Sequence, residues 1–312
     1  MRAFIFPGQG SQAVGMGKAL AEAFAPARAV FQEVDDALSQ RLSKMMWEGY
    51  EVDLTLTENA QPAIMAASMA IIRVLQAEGG LDLSRHARLV AGHSLGEYTA
   101  LCAAGAFSLA DTARLLRIRG SAMQSAVPAG EGGMSVLIGI EIEDAEAACR
   151  DAASTGIVVV ANDNAPGQIV ISGTTAAVEK AGEFAKTRGA KRVIALNVSA
   201  PFHSPLLRPA QETMHEALSA VTIRPPSAPL IANVSAGETA EPELIRRLLV
   251  EQVTGRVRWR ESVASFRALG ATATVEAGGN KVLTGMVRRI DKELEPVSLD
   301  TAADIENFAK TL

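Results

Sequence analysis

The stretch Arg88-Leu-Val-Ala-Gly-His-Ser-Leu-Gly-Glu97 admits few folds. Leu89, Val90 and Ala91 form a short apolar run, Gly92-His-Ser-Leu-Gly96 follows without a spacer, and Glu97 to Phe107 is rich in helix formers. A strand, a sharp turn carrying Gly-x-Ser-x-Gly and a helix together make a nucleophile elbow. Such a turn strains the serine backbone, so the residues two positions either side must lack a Cβ, which accounts for Gly92 and Gly96. The bend exposes the Ser94 hydroxyl and aims N–H groups at the start of the helix toward developing negative charge. Glycine and serine are common, so the strand-to-helix context carries this reading, not the pentapeptide alone. The chain therefore reads as α/β.

Several other functions are disfavoured by composition. Only 4% of the 312 residues are aromatic and the net charge is −5, so neither base stacking nor a basic footprint speaks for nucleic acid. Cys102 and Cys149 lie far apart in helix-like apolar settings, which suits buried, reduced thiols, and no metal site is expected. The apolar run at the N-terminus is too short for a signal peptide and stops at Pro7-Gly8. No uninterrupted apolar stretch reaches bilayer length. A cytoplasmic protein is expected, with no membrane partner.

Ala3 to Phe6 reads as a buried first strand ending in Pro7-Gly-Gln-Gly10. The glycine spacing does not fit a dinucleotide fingerprint, and Gln12 stands where a P-loop needs glycine. A loop whose backbone approaches a substrate remains. Ala19 to Leu42 is expected as one amphipathic helix, and Asn59-Ala-Gln-Pro62 as the cap of an apolar helix over Ala63 to Glu78. Ser108-Leu-Ala-Asp111 is a capping box that opens a helix to about Met123.

Arg114 and Arg117 suit the solvated face of that helix. Arg119 does not, because Leu115, Leu116, Ala122 and Met123 lie one turn either side of it. An arginine on an apolar face needs an anionic partner. That partner is either a protein carboxylate, unless the side chain simply snorkels, or a carboxylate on the substrate held through charged hydrogen bonds.

Pro128 to Gly133 breaks the helical pattern. Strand, helix, strand, strand, helix and strand then follow from Met134 to Leu196, the β-α-β-β-α-β order of a ferredoxin-like unit. The expected architecture is a large α/β-hydrolase-like subdomain with a parallel sheet, residues 1–127 and 199–312, carrying a small ferredoxin-like subdomain at 128–198. Between the small unit's middle strands, Asn162-Asp-Asn-Ala-Pro-Gly167 reads as a hairpin-type loop with polar tips, and Asn162 is a candidate substrate contact.

Pro201-Phe-His-Ser-Pro205 is a proline-fixed loop where the chain rejoins the large unit. A base for Ser94 can be sought among four histidines. His93 adjoins the serine and should project elsewhere, His86 lies in a charged segment, and His215 sits beside Glu216 on an amphipathic helix. His203 remains, on the kind of preorganised loop that carries catalytic groups. Pro242 to Val253 reads as a helix with a glycine cap at Gly255, leaving last-turn carbonyls free to accept a hydrogen bond.

Taken together, Phe6-Pro-Gly-Gln-Gly-Ser-Gln12, Gln61-Pro-Ala63, Gly92-His-Ser-Leu-Gly-Glu97, Arg119, Gln168 to Gly173, Phe202-His-Ser204, Asn233-Val234 and Gln252 before Val257-Arg-Trp259 resemble the malonyl-CoA:acyl carrier protein transacylases of fatty acid synthesis. The resemblance runs in order over nearly the whole chain. It implies ping-pong transfer of a malonyl group from malonyl-CoA to the phosphopantetheine thiol of acyl carrier protein. Ser94 would be the nucleophile, His203 the base, and the N–H groups of Gln9 and Leu95 the oxyanion hole. Arg119 would clamp the malonyl carboxylate, and the main-chain carbonyl of Gln252 would take the place of a triad carboxylate. Phe202 would crowd branched acyl groups. No cofactor is implied, and the family suggests a monomer. The family's acidic carrier would need a local basic patch, for which Lys186, Arg188, Lys191 and Arg192 are candidates.

Two rivals share parts of this pattern. In an α/β-hydrolase the order is serine, carboxylate, then a late histidine, whereas His203 lies mid-chain with no evident carboxylate partner. A non-catalytic carrier-docking module would need no reactive Ser94. Within the resemblance, a trans-acting acyltransferase of a polyketide pathway stands beside the fatty acid enzyme.

Overall fold

A computed structural model describes residues 1–312. Two strands, β1 (Arg2–Phe6) and β2 (Ala87–Gly92), come first. Next along the chain are β3 (Gly132–Ile138), β4 (Val158–Ala165), β5 (Gln168–Thr174) and β6 (Arg192–Ala195). The last four are β7 (Leu230–Ile231), β8 (Glu238–Thr239), β9 (Ala273–Ala277) and β10 (Glu295–Leu299). The first two and last four strands form one sheet in the order β10-β9-β1-β2-β7-β8, and the middle four form another in the order β4-β5-β3-β6.

In the larger sheet every pairing is parallel except the edge pair β7–β8. Both of its faces are covered, so its strands are apolar on both sides. Along β1, Phe4 and Phe6 face the main core while Ala3 and Ile5 face a second cluster built around Trp259 and Phe266. The main core is dominated by the helix Thr57–Glu78. By length and composition that helix could cross a membrane, but 83% of its apolar window is buried inside the protein.

In the smaller sheet all pairings are antiparallel, and β3 lies between β5 and β6. The helices Ile142–Asp151 and Thr175–Thr187 cover it through their own apolar cluster. The α/β class, the parallel sheet and the separate four-stranded unit thus follow the reading of the sequence.

Several boundaries differ, each for a local reason. The expected helix from Ala19 to Leu42 is two, Lys18–Ala23 and Ala25–Leu38, broken at the extended residue Phe24. Pro26 has no N–H to continue the first helix. The helix expected from Ala63 starts instead at Thr57 and carries Pro62 inside it. Its N-terminal turn meets Gly120 so closely that a Cβ there would lie 2.6 Å from Glu58 Cα. This crossing sets Arg119 beside Gln61.

The expected loop 162–167 is mostly strand, because β4 runs to Ala165 and only Pro166-Gly167 turn. Register shifts in β4 at 160–162 and 163–165 re-aim its polar residues. Asp163 N–H donates to Val257 O at 3.0 Å and Val257 N–H donates to Ala161 O at 2.8 Å. Arg260 adds an ion pair to buried Asp163 at 2.8 Å. The smaller sheet is thereby stitched to the segment after the helix Pro242–Gln252.

Candidate active site

Ser94 lies immediately beyond β2, where chain direction reverses into the helix Gly96–Ala103. Its φ is 54°, in the left-handed region. A Cβ on Gly92 would fall 1.9 Å from Gly96 O, and one on Gly96 would fall 2.2 Å from Phe6 O. Both glycines are thus required by backbone contact. Asn233, just past β7, braces the bend: its Oδ1 accepts from Ser94 N at 2.8 Å and its Nδ2 donates to Gly92 O at 2.7 Å.

His203 is buried, and its φ of 56° is also left-handed. Its Nδ1 faces two carbonyls, Gln252 O at 2.8 Å and Gly255 O at 3.1 Å. That nitrogen must therefore carry the hydrogen, leaving Nε2 bare to accept from the Ser94 hydroxyl at 2.8 Å. Burial, and then the Arg119 cation, pull the imidazole down to about 3, against the two carbonyl bonds. It is neutral at physiological pH.

Gly255 is not the left-handed cap expected from sequence, because the helix ends in a right-handed residue, Val253. A Cβ at Gly255 would meet Val234 and Glu251 O, so the position needs glycine for close packing. Its carbonyl is a second acceptor for the imidazole.

Arg119 is buried and extends toward Ser94. Nη1 donates to Gln61 Oε1 at 2.8 Å, while Nη2 donates to Gln252 Oε1 at 2.7 Å and to Ser94 Oγ at 3.1 Å. Its guanidinium lies 5.6 Å from the Tyr98 ring centre, and its Nε has no partner. Burial lowers its pKa, with Tyr98 and Glu97 opposing. No carboxylate pairs with it directly, which sets it apart from the ion-paired arginines of the surface.

These groups open into a cleft of about 350 Å³ lined by Gln9, Gln61, His93, Ser94, Arg119, Asn162, Phe202, His203 and Met286 among others. The loop after β1 runs beside the elbow, with His93 N–H donating to Phe6 O at 3.0 Å. The backbone N–H groups of Gln9 and Leu95 donate to no protein acceptor. His93 turns away from the serine, as its position suggested, and its Nε2 lies 2.8 Å from Asn164 Oδ1. Gln252 stands behind the wall, its carbonyl on His203.

The sequence reading did not single out Glu97, Asn233, Asn164 or Gln61 for individual roles. Glu97 and Gln61 had one visible signal, a polar residue within an otherwise apolar helix. No group of three or more His, Cys, Asp or Glu side chains could hold a metal ion.

Residues 3–305 match the model of the acyl transferase domain family. The chain is 44% identical over 311 residues to a malonyl CoA-acyl carrier protein transacylase of Bacillus subtilis, covering 99% of this chain and 96% of the relative. It is 40% identical over 298 residues to the protein of that name from Escherichia coli K12, covering 96% and 95%. An acyl-carrier-protein-S-malonyltransferase from Bartonella henselae superposes with a TM-score of 0.97 at 55% identity, covering 100% of this chain and 99% of that one. A malonyl-transacylase solved with a type II polyketide acyl-carrier protein superposes with a TM-score of 0.95 at 40% identity, covering 99% of both.

Proposed function

The chain belongs to the acyl transferase family, among its malonyl-CoA–acyl carrier protein transacylases, and from that premise we propose that Ser94 carries the malonyl group between malonyl-CoA and the carrier thiol. The single observation that carries this reading is the line Ser94 Oγ, His203 Nε2, His203 Nδ1 and Gln252 O, with the carboxylate-free cation of Arg119 at its open end.

In the first half-reaction His203 Nε2 takes the Ser94 proton as Oγ attacks the thioester carbon. The carbonyl oxygen becomes an oxyanion, for which the unpaired N–H groups of Gln9 and Leu95 are the donors, each contributing roughly 2.7–4 kcal/mol. As the C–S bond breaks, the imidazolium returns its proton to the departing CoA sulfur, leaving malonyl-Ser94 and free CoA thiol. In the second, the phosphopantetheine thiol gives its proton to His203 and attacks the ester. Ser94 leaves and recovers that proton. Carbonyl oxygens on Nδ1–H hold the ring in the working tautomer, as a carboxylate does in a hydrolase triad.

Arg119 binds the malonyl carboxylate. Phe202 and Asn162, on the cleft wall, limit the acyl group and contact the substrate. The chemistry needs only these residues and no cofactor. The enzyme serves fatty acid synthesis in the cytoplasm as a monomer. A carrier docks on the exposed Lys186, Lys191 and Arg192 with the flanking Arg188.

Incubation with radiolabelled malonyl-CoA tests the reading. Labelled acyl-enzyme is expected from the native chain and none from Ser94→Ala. Label persisting on the variant removes Ser94 as nucleophile, and rapid release of free malonate without a thiol acceptor makes the protein a hydrolase.

A further inference from the structure

The hydrogen bonds around Gln252 reach one residue further than the chemistry requires. We propose that Glu97 is a positioning residue for the carboxylate site: it fixes the side-chain amide of Gln252 so that the amide oxygen holds Arg119. The inference rests on the reading of Arg119 as the carboxylate-binding group.

Gln252 Nε2 spends its hydrogens on Ser94 O at 2.8 Å and on Glu97 Oε2 at 2.7 Å. Its Oε1 is thereby left facing Arg119 Nη2 at 2.7 Å. A flipped amide would set oxygen against the Ser94 carbonyl and the Glu97 carboxyl, and NH₂ against a guanidinium. The Ser94 carbonyl and the guanidinium both refuse that arrangement, whereas in the observed one Glu97 Oε2 accepts from Nε2. Glu97 is therefore one of the acceptors that choose the amide's orientation, and through it the direction of Arg119.

A carboxyl group is needed at this place for a stereochemical reason. Asn233 N–H also points at Glu97, 3.4 Å from each of its oxygens, while Asn233's own side chain braces the elbow. Glu97 thus meets donors from both sides, and a glutamine has only one accepting oxygen to offer them. Its place in the first turn of the helix Gly96–Ala103 also favours an acidic residue. Glu97 is fully buried and does not line the cleft. Its route to Arg119 passes through Gln252.

The test measures malonyl and acetyl transfer by the full chain and by Glu97→Gln, Glu97→Asp and Arg119→Ala. Leaving buried donors without their acceptor corresponds to about a tenfold or greater fall in malonyl kcat/KM for Glu97→Gln. That fall should lie mainly in KM, with acetyl transfer changed much less. Glu97→Asp, which keeps the acid but draws it back from Gln252, should shift selectivity the same way, and it serves if the glutamine variant does not fold. Equal losses for both acyl groups, or no loss, overturn the proposal. If Arg119→Ala is selective and the Glu97 variants are not, only the role of Glu97 falls. If Arg119→Ala costs both acyl groups equally, the underlying reading of the arginine falls instead.

Discussion

Ser94 and His203 meet at 2.8 Å from opposite walls of the cleft, and both hold a left-handed backbone, φ 54° and 56°. Non-glycine residues in that region are uncommon and cost free energy that the surrounding structure must supply. Here the supply is visible: Asn233 clamps the backbone on either side of His93, and carbonyls of Gln252 and Gly255 hold the imidazole. Replacing His203 by alanine should lower acyl-enzyme formation about 10²–10⁴-fold, the usual worth of a positioned base. Single-turnover labelling measures it, and a native rate would exclude the imidazole.

The depressed imidazole makes a pH prediction. Folded His203 stays neutral down to about 3, whereas an unfolded chain takes up the proton near the ordinary imidazole value of 6.5. Between those limits the unfolded state binds more protons, so the group's contribution to stability is complete above the upper limit and is lost as pH falls. The rate of acylation should show no histidine-type decline between pH 7 and pH 5. Such a decline, absent in a control substrate-binding measurement, would place the working pKa much closer to that of a free imidazole.

Arg119→Ala should lower malonyl transfer far more than acetyl transfer. A charged hydrogen bond to the substrate contributes about 1.5–3 kcal/mol, or roughly 10- to 150-fold for each bond lost. Competition between malonyl- and acetyl-CoA for the acyl-enzyme reads the difference directly. Equal losses would make the arginine a structural cation.

Gly92→Ala places a methyl 1.9 Å from Gly96 O, a backbone atom that cannot swing aside. Destabilisation should exceed the about 1–3 kcal/mol of ordinary overpacking, and activity should vanish with the elbow. A near-native melting temperature would show that the bend can relax.

Charge reversal at Lys191 and Arg192 should raise the KM for carrier protein and weaken its salt dependence, while leaving malonyl-CoA acylation intact. Reversal at Arg188 should do less, because Asp151 already occupies it at 2.5 Å. Unchanged carrier kinetics would clear this surface.

The legible parts of the sequence were those where chemistry restricts the residue. Gly92 and Gly96 betrayed the bend because only glycine fits there, and Arg119 stood out because a cation on an apolar face has few explanations. His203 emerged from the weakness of its rivals. Glu97 showed only as a polar residue in an apolar helix, and the roles of Glu97 and Asn233 stayed hidden, since their work depends on partners brought together across the fold. The β4 residues misled for a similar reason. Asn162-Asp-Asn-Ala165 has the composition of a turn, but pairing with β5 on one side and a backbone bond to Val257 on the other keep it extended. Pro62 likewise suggested a helix starting at Ala63, whereas the helix, packed against Gly120, starts six residues earlier at Thr57.

The stitch between β4 and Val257 bears on how acyl groups are exchanged. A clamshell enzyme swings its halves apart to release one substrate before admitting another. Here backbone bonds and the Asp163–Arg260 pair lace the halves together. Under the proposed transfer, donor and acceptor are therefore expected to use one doorway in turn, the first thiol vacating it before the second arm reaches in.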